Sequence, residues 1–359
     1  MNSNRLSPLV LLLLLPVLAS ATSIFDLIYQ PGKQEAIKTT LTLPVDSLLL
    51  KANGKQDAKL HFSDANGRTH NWDINVSLRG KFRRSRCEFA PLKLNFAKKD
   101  LRAVGLEDFD KYKLVIPCTS DLSAPDLVRK EYLAYRAYAL LADYHFRVQL
   151  LEITFKDQAG VHPDRTEVAF LIENTKEMAA RYEAEEVDEA LGMPAEAYDA
   201  KAEVTHALLQ YMVGNGDYSL PLARNIKVLK LSSGKLAPVG YDFDFSGWVG
   251  APYATPSREI GQESIYERIY LGYAQDDHLL RSVATEFRDK RRAVINLVTS
   301  GGLGPVENEI LWRWTSRFFA QLNRMNKMDD IPLYNQLRGE IAGVIPPGAE
   351  ARSYQIIGK

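Results

Sequence analysis

Acidic and amide side chains are concentrated in residues 214–247, in an order that suits metal-dependent phosphoryl transfer. A Gly-Asn-Gly-Asp run supplies Asp217, a predicted strand begins at Asn225, and the next predicted strand ends in an Asp-Phe-Asp run that supplies Asp242 and Asp244. Paired strands of a hairpin lie about 5 Å apart, so Asn225 and the Asp-Phe-Asp run are expected to lie close together. Their oxygens are the hard ligands that Mg²⁺ prefers. Asp217 would then orient an attacking hydroxyl.

These residue types also have an ordinary structural explanation. Asn and Asp bond their own backbone in turns, and Gly tolerates positive φ, so a Gly-Asn-Gly-Asp run on its own is typical of a turn. Asp242 and Asp244 are two residues apart, a spacing that places both carboxylates on one face of a strand. The ordered set, rather than any single motif, predicts a site.

Basic side chains lie near two predicted strands of the first half. Apolar and polar residues alternate along both strands, so that Arg79 and Lys93 fall on the polar faces. Between the strands, four of the seven residues of Gly80–Arg86 are basic. This run is either a solvated surface loop or a loop that grips phosphate, because guanidinium groups match phosphate oxygens bidentately.

The chain has two cysteines, Cys87 and Cys118, without the paired histidines of a zinc site. In an oxidising compartment a disulfide between them is expected, which would tie the basic run to the end of a strand. Two separate buried thiols are the alternative.

The N-terminus indicates export. Residues 1–21 have a weakly positive start, an apolar run from Leu9 to Leu18 and a small-residue stretch, which together predict a signal peptide. The apolar run is too short to cross about 30 Å of hydrocarbon, so an uncleaved anchor is the weaker alternative. We expect a secreted or periplasmic protein whose mature chain has no transmembrane segment. The 45 basic and 45 acidic residues cancel, which argues against a nucleic-acid partner.

The element pattern predicts an α+β protein of two lobes. Predicted strands dominate up to residue 118, a long predicted helix covers Leu122 to Leu141, and two further predicted strands follow. Most of the remaining chain has helical spacing around the acidic hairpin. We therefore expect an antiparallel β-rich N-terminal lobe over residues 22–173, a mainly helical C-terminal lobe over residues 174–359, and a cleft between them.

In this order the motifs resemble those of the CotH kinase-like family of exported, spore-coat-type protein kinases. The resemblance covers roughly residues 39–247 and fades in the C-terminal helices. It is carried by short runs in a common order: Arg79-Gly80, Pro-Leu-Lys-Leu-Asn-Phe around Lys93, Asp-Leu-Val-Arg at Asp126–Arg129, a strand ending at Glu173, Gly-Asn-Gly-Asp with Asn225 downstream, and Tyr-Asp-Phe-Asp.

The resemblance implies a two-lobed protein-kinase-like fold and ATP-dependent phosphorylation of Ser or Thr in an acceptor protein, with Mg²⁺ or Mn²⁺. Asp217 resembles the catalytic aspartate, Asn225 and Asp242 the metal ligands, and Asp244 a possible second carboxylate ligand. Arg79 and Lys93 resemble the phosphate-binding cations, with Lys111 and Lys113, which share one strand face, as rivals to Lys93. Glu173 stands where the linker between lobes meets the nucleotide. The basic run after Gly80 departs from the small polar residues usual in the family.

Two other functions remain open. One is a catalytically silent secreted protein that binds a nucleotide or a partner. The other is a kinase of a non-protein acceptor, such as a sugar or a lipid head group. Export also raises a physical objection to the kinase hypothesis, because ATP is scarce outside the cytoplasm and a local supply or another phosphoryl donor is then required.

Overall fold

The computed structural model describes residues 22–31 and 35–338. The predicted signal peptide, residues 1–21, lies outside these residues, as do residues 339–359 of the predicted C-terminal lobe. In the described part the strands are β1 (Ile37–Leu43), β2 (Gln56–Ser63), β3 (Thr69–Leu78), β4 (Leu92–Phe96), β5 (Lys111–Val115), β6 (Val148–Asp157), β7 (Arg165–Ile172), β8 (Glu185–Val187), β9 (Ile226–Lys230) and β10 (Leu236–Gly240). The α-helices are α1 (Ile24–Ile28), α2 (Val45–Leu49), α3 (Lys81–Arg86), α4 (Lys98–Ala103), α5 (Ala124–Leu141), α6 (Thr175–Arg181), α7 (Ala200–Val213), α8 (Asp277–Asp289), α9 (Arg291–Thr299), α10 (Pro305–Met325) and α11 (Leu333–Arg338).

Seven of these strands form a closed barrel in the order β1-β2-β3-β4-β5-β7-β6. Neighbours are antiparallel except at the closure, where β1 runs parallel to β6 from the pair Ile37↔Leu151 to the pair Leu43↔Asp157. The predicted protein-kinase-like fold, with an antiparallel sheet as its N-terminal lobe, is therefore wrong. The parallel pairing joins segments more than a hundred residues apart, and it turns the sheet into a mixed barrel without a free edge.

The first four residues of β6 pair with the last four of β7, and all eight are buried, so both faces of the sheet are covered at this end. Ala169 and Leu171 of β7 point into the barrel interior, together with Leu41 and Val76. Phe170, by contrast, packs with the helical half of the molecule.

The helix α5 joins the barrel to the helical half. It packs against β7 on the barrel side and against α7 and α9 on the other. Pro125 stands at its first turn, where a missing N–H costs nothing. The predicted helix over Leu122 to Leu141 is thus confirmed. The strands β8, β9 and β10 form a separate sheet, in the order β10-β9-β8.

The basic run after Gly80 is the helix α3, not a loop. Its residues are mostly good helix formers, and Gly80 starts the helix with a φ of 73°. The helix ends at Arg86, and the next residue, Cys87, forms the predicted disulfide with Cys118. The bridge ties α3 to the segment that leads into α5.

Among the described residues, every helix is too short or too polar to cross a membrane.

One buried carboxyl group makes the stability of the helical half depend on pH. Glu203 of α7 is fully buried, and it accepts hydrogen bonds from the Tyr273 amide (3.0 Å) and from Gln275 (3.2 Å). Burial raises the pKa of Glu203 to about 7 despite these bonds, from an ordinary value of 4.5. The folded state therefore holds a proton that the unfolded state releases, and stability is lost as pH rises from about 4.5 through about 7.

We expect Glu203→Gln to raise the Tm at pH 8 by on the order of 5 °C and to leave it nearly unchanged at pH 4.5. The variant removes the buried charge, and Gln275 can turn its amide over to accept a bond. Thermal unfolding across this pH range measures the effect. Glu189→Gln, at an exposed position, is the control and should change neither value. Equal Tm differences at both pH values would contradict the assignment.

Candidate functional site

The hairpin of β9 and β10 brings the two ends of the acidic stretch together. Ile226 pairs with Gly240, and the Tyr241 amide donates to the Asn225 carbonyl (3.2 Å). Asn225 therefore lies beside the start of the Asp-Phe-Asp run. Asn225 and Asp242 both adopt left-handed backbone conformations, with φ of 52° and 64°, which Asn and Asp tolerate better than most residues.

Asp217 is held against Asn225. The Asn225 Nδ2 donates to the Asp217 carbonyl (2.7 Å) and to its carboxylate (2.8 Å), which leaves the amide oxygen of Asn225 outside these bonds. Arg224 lies 3.8 Å from the same carboxylate. Burial raises the pKa of Asp217, and Arg224 and Asn225 act in the opposite direction. A raised pKa favours a carboxylate that takes up a proton.

Three carboxylates form a cluster: Glu131 of α5, Asp242 and Asp244. Each offers one oxygen, and these oxygens lie within 4.8 Å of one another. The Asp242 amide donates to the Tyr135 hydroxyl (2.9 Å), which fixes the backbone at Asp242 against α5. Glu131 and Asp244 are buried, and Glu131 Oε1 is buried without a hydrogen-bond partner among the described residues.

Arg83 of α3 is the buried counter-ion of this cluster. Its Nε donates to Asp244 (2.8 Å) and its Nη2 to Glu131 (3.0 Å). Burial raises the pKa values of Glu131 and Asp244, while the Arg83 guanidinium opposes that rise. With every group ionised, three carboxylates against one guanidinium leave two negative charges, which suits a divalent cation bound by hard oxygen ligands.

Positive side chains face the cluster from the barrel. Lys93 and Lys113 are direct partners on β4 and β5, so their side chains share one face. Burial lowers the pKa of Lys113 to about 8; Arg79 lowers it further and Asp242 raises it, so both groups lie within electrostatic reach of the ammonium. Lys113 Nζ lies 4.1 Å from the centre of the Tyr241 ring, and Arg79 Nε is buried without a hydrogen-bond partner among the described residues.

A cavity of about 440 Å³ opens beside these lysines. Two of the lysines that line it, Lys98 and Lys111, pair with neighbouring aspartates. Lys93 and Lys113 form no ion pair with any residue that the structure describes. The cavity wall comprises Lys93, Lys98, Asp108, Phe109, Asp110, Lys111, Tyr112, Lys113, Glu173, Asn174, Thr175, Lys176 and Glu186. Such a wall suits an anionic ligand.

Glu173 lies in this wall, but its carboxylate is already engaged. It is buried, and it accepts bonds from Arg147 (2.7 Å and 2.9 Å) and from Arg181 (3.0 Å and 2.9 Å). Its predicted role beside a nucleotide stays a prediction. The other arginines of α3 turn away from the cluster: Arg84 bonds Asn53 and the Lys51 carbonyl, and Arg86 lies over the Phe82 ring.

Glu131 and Arg83 were absent from the predicted site. The sequence does carry a signal for Glu131, which is three residues after Val128 and four before Tyr135 on the apolar face of α5. An acidic residue on such a face indicates a buried partner. No local signal identifies Arg83, because its partners lie 48 and 161 residues away.

A scan against protein-family models found no match, and no curated protein matches the sequence. The resemblance to the CotH kinase-like family therefore stays a prediction.

Proposed function

We propose that this protein is an exported, divalent-cation-dependent phosphotransferase that moves a phosphoryl group from a nucleotide such as ATP to an alcohol hydroxyl. The observation that carries the proposal is the nearness of two groups of charged side chains, one acidic and one basic. Asp242 and Asp244, which cluster with Glu131, lie within electrostatic reach of Asp217, and the Asn225 amide donates to the Asp217 carboxylate. Lys113 lies within electrostatic reach of both Asp242 and Arg79.

Each set has a role in this reaction. Asp242, Asp244 and the Asn225 amide oxygen would hold Mg²⁺ or Mn²⁺. Glu131 Oε1 fits as a further ligand, because no described residue donates a hydrogen bond to it. When bound, such a cation would neutralise negative charge on the phosphate oxygens of the donor. Arg79, Lys93 and Lys113 would bind the phosphates of the donor.

Asp217 would act on the acceptor. In the transfer, the acceptor oxygen forms a bond to the terminal phosphorus, the bond from that phosphorus to the leaving diphosphate breaks, and the hydroxyl proton passes to the Asp217 carboxylate. Asn225 keeps that carboxylate in place. We propose Ser or Thr of a protein as the acceptor, in line with the motif resemblance.

The test combines a binding assay with a labelling assay. Purified protein is incubated with ATP labelled at the terminal phosphate, with Mn²⁺ or Mg²⁺, and with a panel of proteins, sugars and lipid head groups. We expect cation-dependent label on an acceptor or on the chain itself, and none with Asp242→Asn. A nucleotide-induced rise in Tm without label would instead indicate a catalytically silent binding protein. The absence of both nucleotide binding and label would overturn the proposal.

A further inference from the structure

Two buried amide side chains, Gln210 and Asn215, fix the loop between α7 and Asp217. Asn215 is 2% exposed and Gln210 is fully buried. Asn215 Nδ2 donates to Gln210 Oε1 (3.0 Å), and Asn215 Oδ1 accepts from the Asp217 backbone N–H (2.9 Å). Asn215 therefore links the last turn of α7 directly to the residue that would receive the acceptor proton.

The same loop is bonded to the segment that follows the metal-ligand residues. The Gly247 amide donates to the Gly214 carbonyl (3.1 Å), and the Trp248 amide donates to the Val213 carbonyl (2.9 Å). A Cβ at Gly247 would lie 2.5 Å from the Ile265 carbonyl oxygen, so this position also requires glycine. The two loops of the site are thus held in one fixed relation.

Gln210 also touches the hairpin that carries Asp242. A Cβ at Gly240, two residues before Asp242, would lie 2.6 Å from Gln210 Nε2. That nitrogen is buried without a hydrogen-bond partner among the described residues. The Gln210 amide therefore lies at the junction of α7, the Asp217 loop and β10.

We propose that Asn215 and Gln210 are positioning residues that set the direction of the Asp217 carboxylate relative to Asp242. The inference rests on the proposed phosphotransferase function. Glycines flank Asn215 at positions 214 and 216 and restrict the backbone little, so the hydrogen bonds of the Asn215 side chain add to the backbone bonds of Val213 and Gly214 in holding the loop. Asn225 holds the carbonyl and the carboxylate of Asp217, whereas Asn215 holds its backbone N–H, so loss of the Asn215 bonds releases the backbone that carries the carboxylate.

The predicted effect falls on turnover. We expect Asn215→Ala to lower kcat by roughly a hundredfold, the scale of a small misplacement of a reacting group, with an unchanged KM for the nucleotide. The phosphate-binding side chains and the cation ligands belong to other segments, so binding should persist. Steady-state kinetics with labelled ATP, together with the Mn²⁺-induced rise in Tm, measure both quantities.

A conservative variant separates positioning from folding. Asn215→Asp keeps an acceptor for the Asp217 amide, and Gln210 can turn its amide over to donate from Nε2, so we expect kcat near that of the wild type. Asn326→Ala removes an amide bonded to Thr285 in the helical half (3.1 Å), and it should lower Tm without changing kcat.

Two results would overturn the inference while leaving the function intact: an unchanged kcat in Asn215→Ala, or a loss of kcat matched by loss of nucleotide affinity and not restored in Asn215→Asp. A wild-type protein without cation-dependent turnover would overturn the proposed function, and this inference with it. The test of the proposed function uses the wild type alone, and the test of this inference uses the variants, so the two failures can be told apart.

Discussion

The Asp242→Asn variant is expected to lose cation-dependent turnover by about a thousandfold, which corresponds to roughly 4 kcal/mol of transition-state stabilisation. Asp242 supplies a carboxylate to the cluster and lies within reach of Lys113. Asparagine tolerates the φ of 64° at this position, so the backbone should be retained. In the absence of cation the Tm should stay the same or rise, because one of three neighbouring negative charges is removed.

Thermal unfolding with and without Mn²⁺ provides the direct measurement. A cation that binds only the folded state raises stability by RT ln(1 + [L]/Kd), about 2.7 kcal/mol at a hundredfold excess over Kd. The wild type should show this rise and Asp242→Asn should not. Asp188→Asn, at an exposed position, should behave like the wild type. A large fall in the Tm of the cation-free Asp242→Asn variant would make Asp242 a structural residue.

The Asp217→Asn variant should separate chemistry from binding. Removal of a general base lowers turnover by roughly 10²-fold to 10⁴-fold. The new amide oxygen can still accept the bond that Asn225 donates to Asp217, so the loop should keep its place. We therefore expect an unchanged KM for the nucleotide and a full Mn²⁺-induced rise in Tm.

The pair of variants gives opposite binding results, which makes the assignment of roles testable. Asp242→Asn should lose the response to Mn²⁺, and Asp217→Asn should keep it. Asp164→Asn, on the exposed surface of the barrel, controls for the general effect of losing a carboxylate. Turnover in Asp217→Asn close to that of the wild type would show that another group takes the acceptor proton.

The sequence predicts the strands of the barrel better than their arrangement. The alternation of apolar and polar residues along β3 and β4 involves only neighbouring residues, so it can be read from a short stretch of sequence. Closure of the barrel depends on the parallel pairing of β1 with β6, which begins with Ile37 opposite Leu151. No local sequence pattern indicates a contact between residues so far apart in the chain. A sheet that curls until its edges meet has the same alternation as an open one.

The candidate site shows the same division. Asn225 and Asp242 belong to one hairpin, so their approach follows from strand pairing and turn residues. Glu131 reaches Asp242 from α5, and Arg83 reaches Glu131 from α3, the short helix between β3 and β4. Their meeting is a tertiary event. The acidic residue on the apolar face of α5 is the one sequence feature that indicates it.

The Cys87–Cys118 bridge determines how the protein should be produced for any of these assays. Arg83 is four residues before Cys87, and the crosslink anchors the helix that carries this guanidinium to the approach of α5. The cytosol of a common laboratory host keeps thiols reduced. Material made there would carry an unanchored guanidinium beside Glu131 and Asp244, so low activity in such a preparation would reflect the host. Secretion into an oxidising compartment, or oxidative refolding, is the appropriate route.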